Sequence, residues 1–394
     1  MITKTTFHRP PLFRVLFTLL LAITAVYAAP TTVQAQTFYV STGTDAIDKV
    51  DSSGSVTLFA TMPASSSPQG LAFDSGGNLY AVAYNTDQIS KITPGGVVSL
   101  FATLPSSSGN TGLAIDGSGN LYAANIYSGQ ISKTTPGGVV SLFATVASPV
   151  GLAFDGSGNL YAANFGAGQI SKITPGGTVS LFATLPGGSY PTGLAFDTSG
   201  NLFASDQNNG QISKITPSGA VSLFASLPGG APTSGLAFDS SGNLYAANDA
   251  TNQIYMITSG GVVSVFATAI QIPYFIAIQT TYIAQVQQPI NPDGSSVFSV
   301  KRGVVPVKFT LTLNGVAACQ LPAATISLTR IQGAILGSIA ESTYLLSSDT
   351  GSNFRISDCQ YVYNLAAGSL GPGTYTVNIL IGGNVVGNGT FGLH

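Results

Sequence analysis

The side chains that most often move protons or grip metals are scarce in this chain. Of 394 residues, two are His and two are Cys. Glutamate occurs once, as Glu341, while His8 and His394 stand near the two ends. Between residues 36 and 283 there is no His, Glu or Cys. Over that span neither an imidazole base nor a Cys/His nucleophile pair has residues to build it. A hard-cation site, which draws on several carboxylate or carbonyl oxygens, finds only Asp there. No metal or organic cofactor is expected, and the sequence leans away from an enzyme.

What polarity remains recurs at a fixed interval. Gly-Leu-Ala-(Phe/Ile)-Asp begins at Gly70, Gly112, Gly151, Gly193 and Gly235, with spacings of 42, 39, 42 and 42 residues. Lys49, Lys91, Lys133, Lys172 and Lys214 follow the same rhythm, and Met256 takes the sixth place. Such recurrence is expected from duplication, and the lysines read as charges that protect solvated blade edges from pairing. Asp74, Asp116, Asp155, Asp197 and Asp239 each open a D-x-x-G-N segment, which predicts turns in which the carboxylate bonds backbone amides. Phe101, Phe143, Phe182, Phe224 and Phe266 are expected to pack between repeats, whereas Tyr84, Tyr127, Phe165 and Tyr190, on less regular segments, are candidates for stacking on sugars.

A period near 42 is shared by propeller blades and some helical arrays, so content must decide. Short apolar runs such as Gly151-Leu152-Ala153-Phe154, Asn159-Leu160-Tyr161-Ala162 and Val179-Ser180-Leu181-Phe182-Ala183 are divided by Gly- and Pro-bearing turns. That density of Gly, Pro and β-branched residues opposes helix. Each repeat therefore predicts four strands, with Gln169–Ile173 as the third of one repeat. Residues 37 to 61 match only the later three strands of a repeat, and residues 273 to 281, "PYFIAIQTT", supply the missing first one, with Ile276-Ala277-Ile278 as its degenerate core. The two ends thus make one shared blade, which with five internal blades closes a ring of six.

These repeats resemble NHL-type repeats and the related gluconolactonase-like and streptogramin-lyase-like propellers, with "PTGLAFDTSGNLFASD" (191 to 206) carrying the resemblance. The resemblance implies a ligand site at one mouth of the central channel. In gluconolactonase-like enzymes it also implies oxygen ligands for a divalent cation, including an Asn or Asp just before the Gly of each first strand. Here those places hold Gln69, Thr111, Val150, Thr192, Ser234 and, in the degenerate repeat, Ile276, none of them a carboxylate. The lyase-like histidine has no counterpart either. A polar series remains at the end of the second strand, with Thr42, Ala83, Asn125, Asn164, Asp206 and Asn248 in equivalent places. Asn125, Asn164, Asp206 and Asn248 are candidate ligand-binding residues at the channel mouth, suited to a neutral glycan or peptide. The alternative is that they cap turns through backbone amides.

Composition bounds the rest. Charged residues make up 7% of the chain and the formal net charge is -2, without the clustered Lys and Arg that nucleic acid requires. Lys4, Arg9 and Arg14 precede an apolar run from Val15 to Ala29, which reads as an export signal, 1–35, cleaved after Ala28 or Ala35. No later apolar run is long enough for a membrane span, so the mature chain is expected outside the cell or in the envelope. The propeller is expected over 36–283 and a polar, Pro-bearing linker over 284–296.

From 297 to 394 the alternating segments "VVPVKFTLTL", "ATISLTRI" and "GTYTVNILI" predict an immunoglobulin-like β-sandwich. With Pro306-Val307-Lys308-Phe309 and the later "GPGTYTVNI", this stretch resembles the PxKF domain of bacterial secreted proteins, which implies an accessory module and no reaction. Cys319 and Cys359 read first as a disulfide, worth about 4 kcal/mol for a loop of this length; free thiols or a metal pair are the other readings. The chain is thus expected to be all-β, a six-bladed β-propeller followed by a sandwich, binding a glycan, peptide or protein. A divergent lactonase- or lyase-like enzyme centred near Asp206 is the alternative.

Overall fold

The computed structural model describes residues 36–105, 109–230, 233–279, 282–287, 290, 296–298, 304–313, 316–317, 324–332, 337–339, 355–357, 360–366, 370, 372–381 and 384–394. The expected export signal and the Cys319 and Cys359 pair lie outside the described residues. Among the described residues, no helix is long and apolar enough to cross a membrane.

Residues 38 to 278 form six four-stranded antiparallel sheets. One blade runs Pro149–Phe154, Leu160–Asn164, Gln169–Ile173 and Val179–Thr184. The closing blade takes its innermost strand, Pro273–Ile278, from the end of the ring, and the other three, Phe38–Thr42, Ala46–Val50 and Val56–Thr61, from the beginning. Phe38 pairs with Ile278, Tyr39 with Ala277 and Val40 with Ile276. Because Leu71 faces Ala81 in the matching pair of a complete blade, Ile276 takes the place of Leu71. The residue before the glycine position is therefore Tyr274 and not Ile276 as the sequence suggested, and Phe275 stands where the other blades carry glycine.

Glycine is needed at those other five places because neighbouring innermost strands meet backbone to backbone. A Cβ on Gly70, Gly112, Gly151 or Gly193 would overlap the main chain of Leu113, Val150, Thr192 or Ser234 in the next blade, and one on Gly235 would lie 2.6 Å from the Phe275 Cα. Further out, aromatic side chains fill the space between blades. Tyr122 meets Phe143 of its own blade at 4.8 Å and Phe154 of the next at 5.1 Å, both edge-on; Tyr161 is held the same way by Phe182 and Phe196. This is the packing expected of the Phe series, in the geometry that ring quadrupoles favour.

The D-x-x-G-N segments are turns. Asp155 Oδ1 accepts the amides of Ser157 and Asn159 at 2.9 and 2.8 Å, and its Oδ2 accepts the Asn159 side-chain amide at 2.8 Å. Asp116 repeats the pattern with Ser118 and Asn120. Burial opposes ionisation of both carboxyls, but these bonds outweigh it and hold them below the ordinary aspartate value. The lysines do not guard blade edges: they stand on third strands, one in from the edge. Lys91, Lys133 and Lys172 each place the ammonium 5.5 to 5.7 Å over the Tyr ring of the adjoining second strand, so a cation–π contact holds them.

The remaining strands form two five-stranded sheets. In Val304–Leu313 alternate residues Val305, Val307, Phe309 and Leu311 are buried with Tyr361, Tyr375, Val377, Ile379 and Phe391 in one core, the two-sided packing of an immunoglobulin-like sandwich. Part of the expected linker belongs here. Tyr282–Gln287 is a strand paired with Val304–Leu313, with Ala284 and Val286 buried and Gln285 exposed. Its glutamines look like linker in sequence because the polar residues fall on the solvent face of a period-two pattern.

Gly151→Ala should cost about 3 kcal/mol by forcing backbone apart, whereas Gly156→Ala, whose added Cβ meets nothing within 4 Å, should stay within about 0.5 kcal/mol of the parent; chemical denaturation of both variants checks this. Carboxyls with lowered folded values stabilise the ring above the unfolded aspartate value of about 3.9, and that contribution is lost as pH falls through the folded value. An Asp116→Asn, Asp155→Asn double variant should therefore melt below the parent at pH 6 and converge with it towards pH 2; a constant difference across that range would contradict the assignment.

Candidate functional site

The residue before each close-packed glycine faces the axis, and in four blades the residue that follows the second strand rises beside it. Together they line one recess of about 200 Å³ at the end of the ring where the innermost strands begin. Gln69, Thr111, Val150, Thr192, Ser234 and Tyr274 come from the first position, Tyr84, Ile126, Phe165 and Gln207 from the second, and Phe275 from the glycine position of the closing blade. The recess is smaller than the roughly 300 to 1,000 Å³ of pockets that enclose a drug-sized molecule. It is sized for a group inserted from outside, such as a side chain or part of a sugar.

Its hydroxyls serve the ring as well as the recess. Thr111 Oγ1 lies 3.2 Å from the Val150 carbonyl and Thr192 Oγ1 donates to the Thr233 carbonyl at 2.6 Å. Beneath them Ser205 Oγ accepts the Gly193 amide at 2.7 Å and donates to the Ser234 carbonyl at 2.7 Å. These protons are used between blades, so the hydroxyls turn lone pairs to anything in the recess.

The polar series at the ends of the second strands lies one residue below this lining. Asn125, Asn164, Asp206 and Asn248 are all buried, and none is among the residues that line the recess. Asn164 Nδ2 donates to Ser171 Oγ at 2.8 Å. Asp206 accepts the amides of Tyr190 and Asn208 at 3.0 and 2.9 Å, and Asn248 accepts that of Thr251 at 2.9 Å. Asp206 and Asn248 therefore hold turns, the alternative reading of their recurrence. Asn125 Oδ1, Asn164 Oδ1 and Asn248 Nδ2 are buried without a partner.

The irregular aromatics do reach the mouth. Tyr84 and Phe165 line the recess. The Tyr84 hydroxyl lies 2.6 Å from that of Tyr127, whose side chain is 73% exposed, and Phe165 packs on Tyr190 at 5.0 Å. Burial, followed by the bond to Tyr127, pushes the Tyr84 hydroxyl up to about 12, so it stays protonated at neutral pH and can donate.

Asp249 holds the matching place in the fifth blade but is not among the residues that line the recess. It is the first residue after a second strand, the place held elsewhere by Tyr84, Ile126, Phe165 and Gln207. Burial raises its carboxyl above the ordinary value and outweighs the hydrogen bonds that the Asp249 and Ala250 amides give it; its Oδ1 atom is buried without a partner of its own. Its charge reaches Tyr274 in the recess, where burial and then Asp249 push the phenol up. Among the described residues, no group of three or more His, Cys, Asp or Glu could hold a metal ion.

A ring of six antiparallel sheets, closed by a shared blade and opening on an axial recess, is a six-bladed β-propeller of the lyase-like class. The chain belongs to the virginiamycin B lyase family, whose model matches residues 23–248. Solved structures agree on the fold. A streptogramin B lyase is 18% identical, with 61% of this chain and 82% of that one covered and a TM-score of 0.52. A chain from a nidogen/laminin complex is 18% identical, with 62% and 98% covered and a TM-score of 0.55. A protein of unknown function from Bacteroides caccae is 15% identical, with 62% and 99% covered and a TM-score of 0.52. No curated protein matches the chain in sequence.

Proposed function

We propose that the mature chain is an exported, non-catalytic binding protein that holds a peptide or protein segment, or a glycan, at the axial recess of its propeller. The observation that carries this reading is the chemistry of the lining. Gln69, Thr111, Thr192, Ser234 and Gln207 are neutral hydrogen-bonding groups, and Tyr84, Phe165, Tyr274 and Phe275 are aromatic. Such a surface recognises shape and polarity, while the imidazole or Lewis acid that an eliminating or hydrolytic step draws on has no residue there to supply it. The sandwich suits an accessory module for life outside the cell, and the nidogen/laminin complex supports a propeller of this shape in protein binding.

Family membership favours a second reading, a divergent lyase- or lactonase-like enzyme working near Asp206. Against it, the Asp206 carboxylate is buried and already accepts two backbone amides, so it is poorly placed to take a proton from a substrate.

On a peptide and glycan array the purified chain should retain a defined set of ligands, and Gln69→Trp or Gln207→Trp, which fill the recess, should weaken them by about tenfold or more. Retention of nothing, or of ligands indifferent to both substitutions, would contradict binding at the recess. Turnover of a lactone or cyclic-depsipeptide panel, lost in Asp206→Ala, would promote the second reading.

A further inference from the structure

The blades follow one another round the axis in chain order, so lining residues three blades apart face each other across the recess. Tyr274 and Phe275 of the closing blade stand opposite Val150 and Phe165, an apolar and aromatic wall on each side. Gln69 and Tyr84 stand opposite Thr192 and Gln207, which makes this second direction polar. A group that fits must be apolar on its faces and hydrogen-bonding along its edge.

That edge is specified further by which protons are free. Thr111 and Thr192 spend theirs on carbonyls, so towards a ligand they accept. The Tyr84 and Tyr127 hydroxyls share one bond, which uses one of their two protons and leaves the other for a ligand. Among the described residues neither the Gln69 nor the Gln207 side-chain amide is engaged, and each carries both a donor and an acceptor. The lining thus asks for an N–H and a C=O on one small flat group. None of the lining residues is charged, and a charge moved among them would lose its hydration with no partner to replace it.

Two further rings flank the mouth. Tyr127, 73% exposed, adjoins Tyr84, and Tyr190, 40% exposed, packs on Phe165. Exposed rings that carry a hydroxyl at the tip suit the CH faces and hydroxyl edges of a pyranose.

We propose that the recess takes the acetamido group of an N-acetylated aminosugar, its flat faces between Phe275 and Phe165 and its N–H and C=O met by Gln69, Tyr84 and Gln207, with the sugar ring outside against Tyr127 or Tyr190. This rests on the reading of the recess as a binding site and names the ligand class. A volume of about 200 Å³ admits the acetamido group and leaves most of the glycan outside.

The test uses the purified chain and three fluorescently labelled trisaccharides of identical linkage whose rings differ only in one substituent: acetamido, hydroxyl or amino. By anisotropy at mildly acidic pH the acetamido sugar should bind at least about tenfold more tightly than the hydroxyl sugar. The amino sugar, protonated there, should bind no better than the hydroxyl one. Gln69→Leu and Gln207→Leu should each cut the acetamido preference by about fivefold or more. Both should leave binding of the hydroxyl sugar and the melting temperature unchanged, a split that loss of fold would not produce. Equal binding of the acetamido and hydroxyl sugars, tightest binding of the amino sugar, a preference that survives both substitutions, or binding of none of the three would overturn the proposal. Array peptides that the recess-filling Trp substitutions displace, together with no acetamido preference, would leave the binding reading standing and remove only the aminosugar.

Discussion

The structure depends on one close approach: at five of the six blade junctions innermost strands touch through their main chains, with no room for a side chain between them. At Gly70, Gly112, Gly151, Gly193 and Gly235 a Cβ would meet the backbone of the next blade. Close packing of this kind leaves the neighbours no freedom to shift. It fixes how far each first strand stands from the axis, so the preceding residue faces the recess in every blade. The hydroxyls at that level then act as fasteners, with Thr111 and Thr192 bonding carbonyls of the adjoining blade. Recess chemistry and ring stability are thus written in the same few residues.

The turns between second and third strands add what distinguishes one blade from another. Their last residue is left-handed throughout, at φ 55, 54, 68, 61, 65 and 56° for Asp45, Asp87, Gly129, Gly168, Gly210 and Asn252. Glycine takes this conformation freely, and Asp or Asn tolerates it among the other residues. Where the side chain is present it ties down a nearby loop: Asp45 through Ser65 and Ser67, Asp87 through Asn110, and Asn252 through the Ile272 amide at 2.9 Å. A conformational demand met in two ways has therefore given near-identical repeats an uneven distribution of charge around one mouth.

Much of this was legible in the sequence. The four-strand repeat, the shared blade and the inter-blade aromatics follow from the glycine spacing, the complementary end fragments and the period-two burial, each set by backbone physics that does not vary between copies. The closing blade was legible only in outline. Phe275 replaces glycine there, so the register slid by two residues and Tyr274 was missed until strand pairing placed Ile276 opposite Val40. The Asn and Asp series was visible as a recurrence, yet recurrence does not say whether a side chain faces the axis or the turn beneath it.

Hydrogen exchange of the native chain tests the closed ring most directly. If Pro273–Ile278 and Phe38–Thr42 complete one blade, their paired amides should exchange as slowly as those of Pro149–Phe154 and Leu160–Asn164, since a sealed ring has no frayed end. Fast exchange confined to the first and last of these strands, with the internal blades protected, would show an open stack and contradict the closure on which the recess depends.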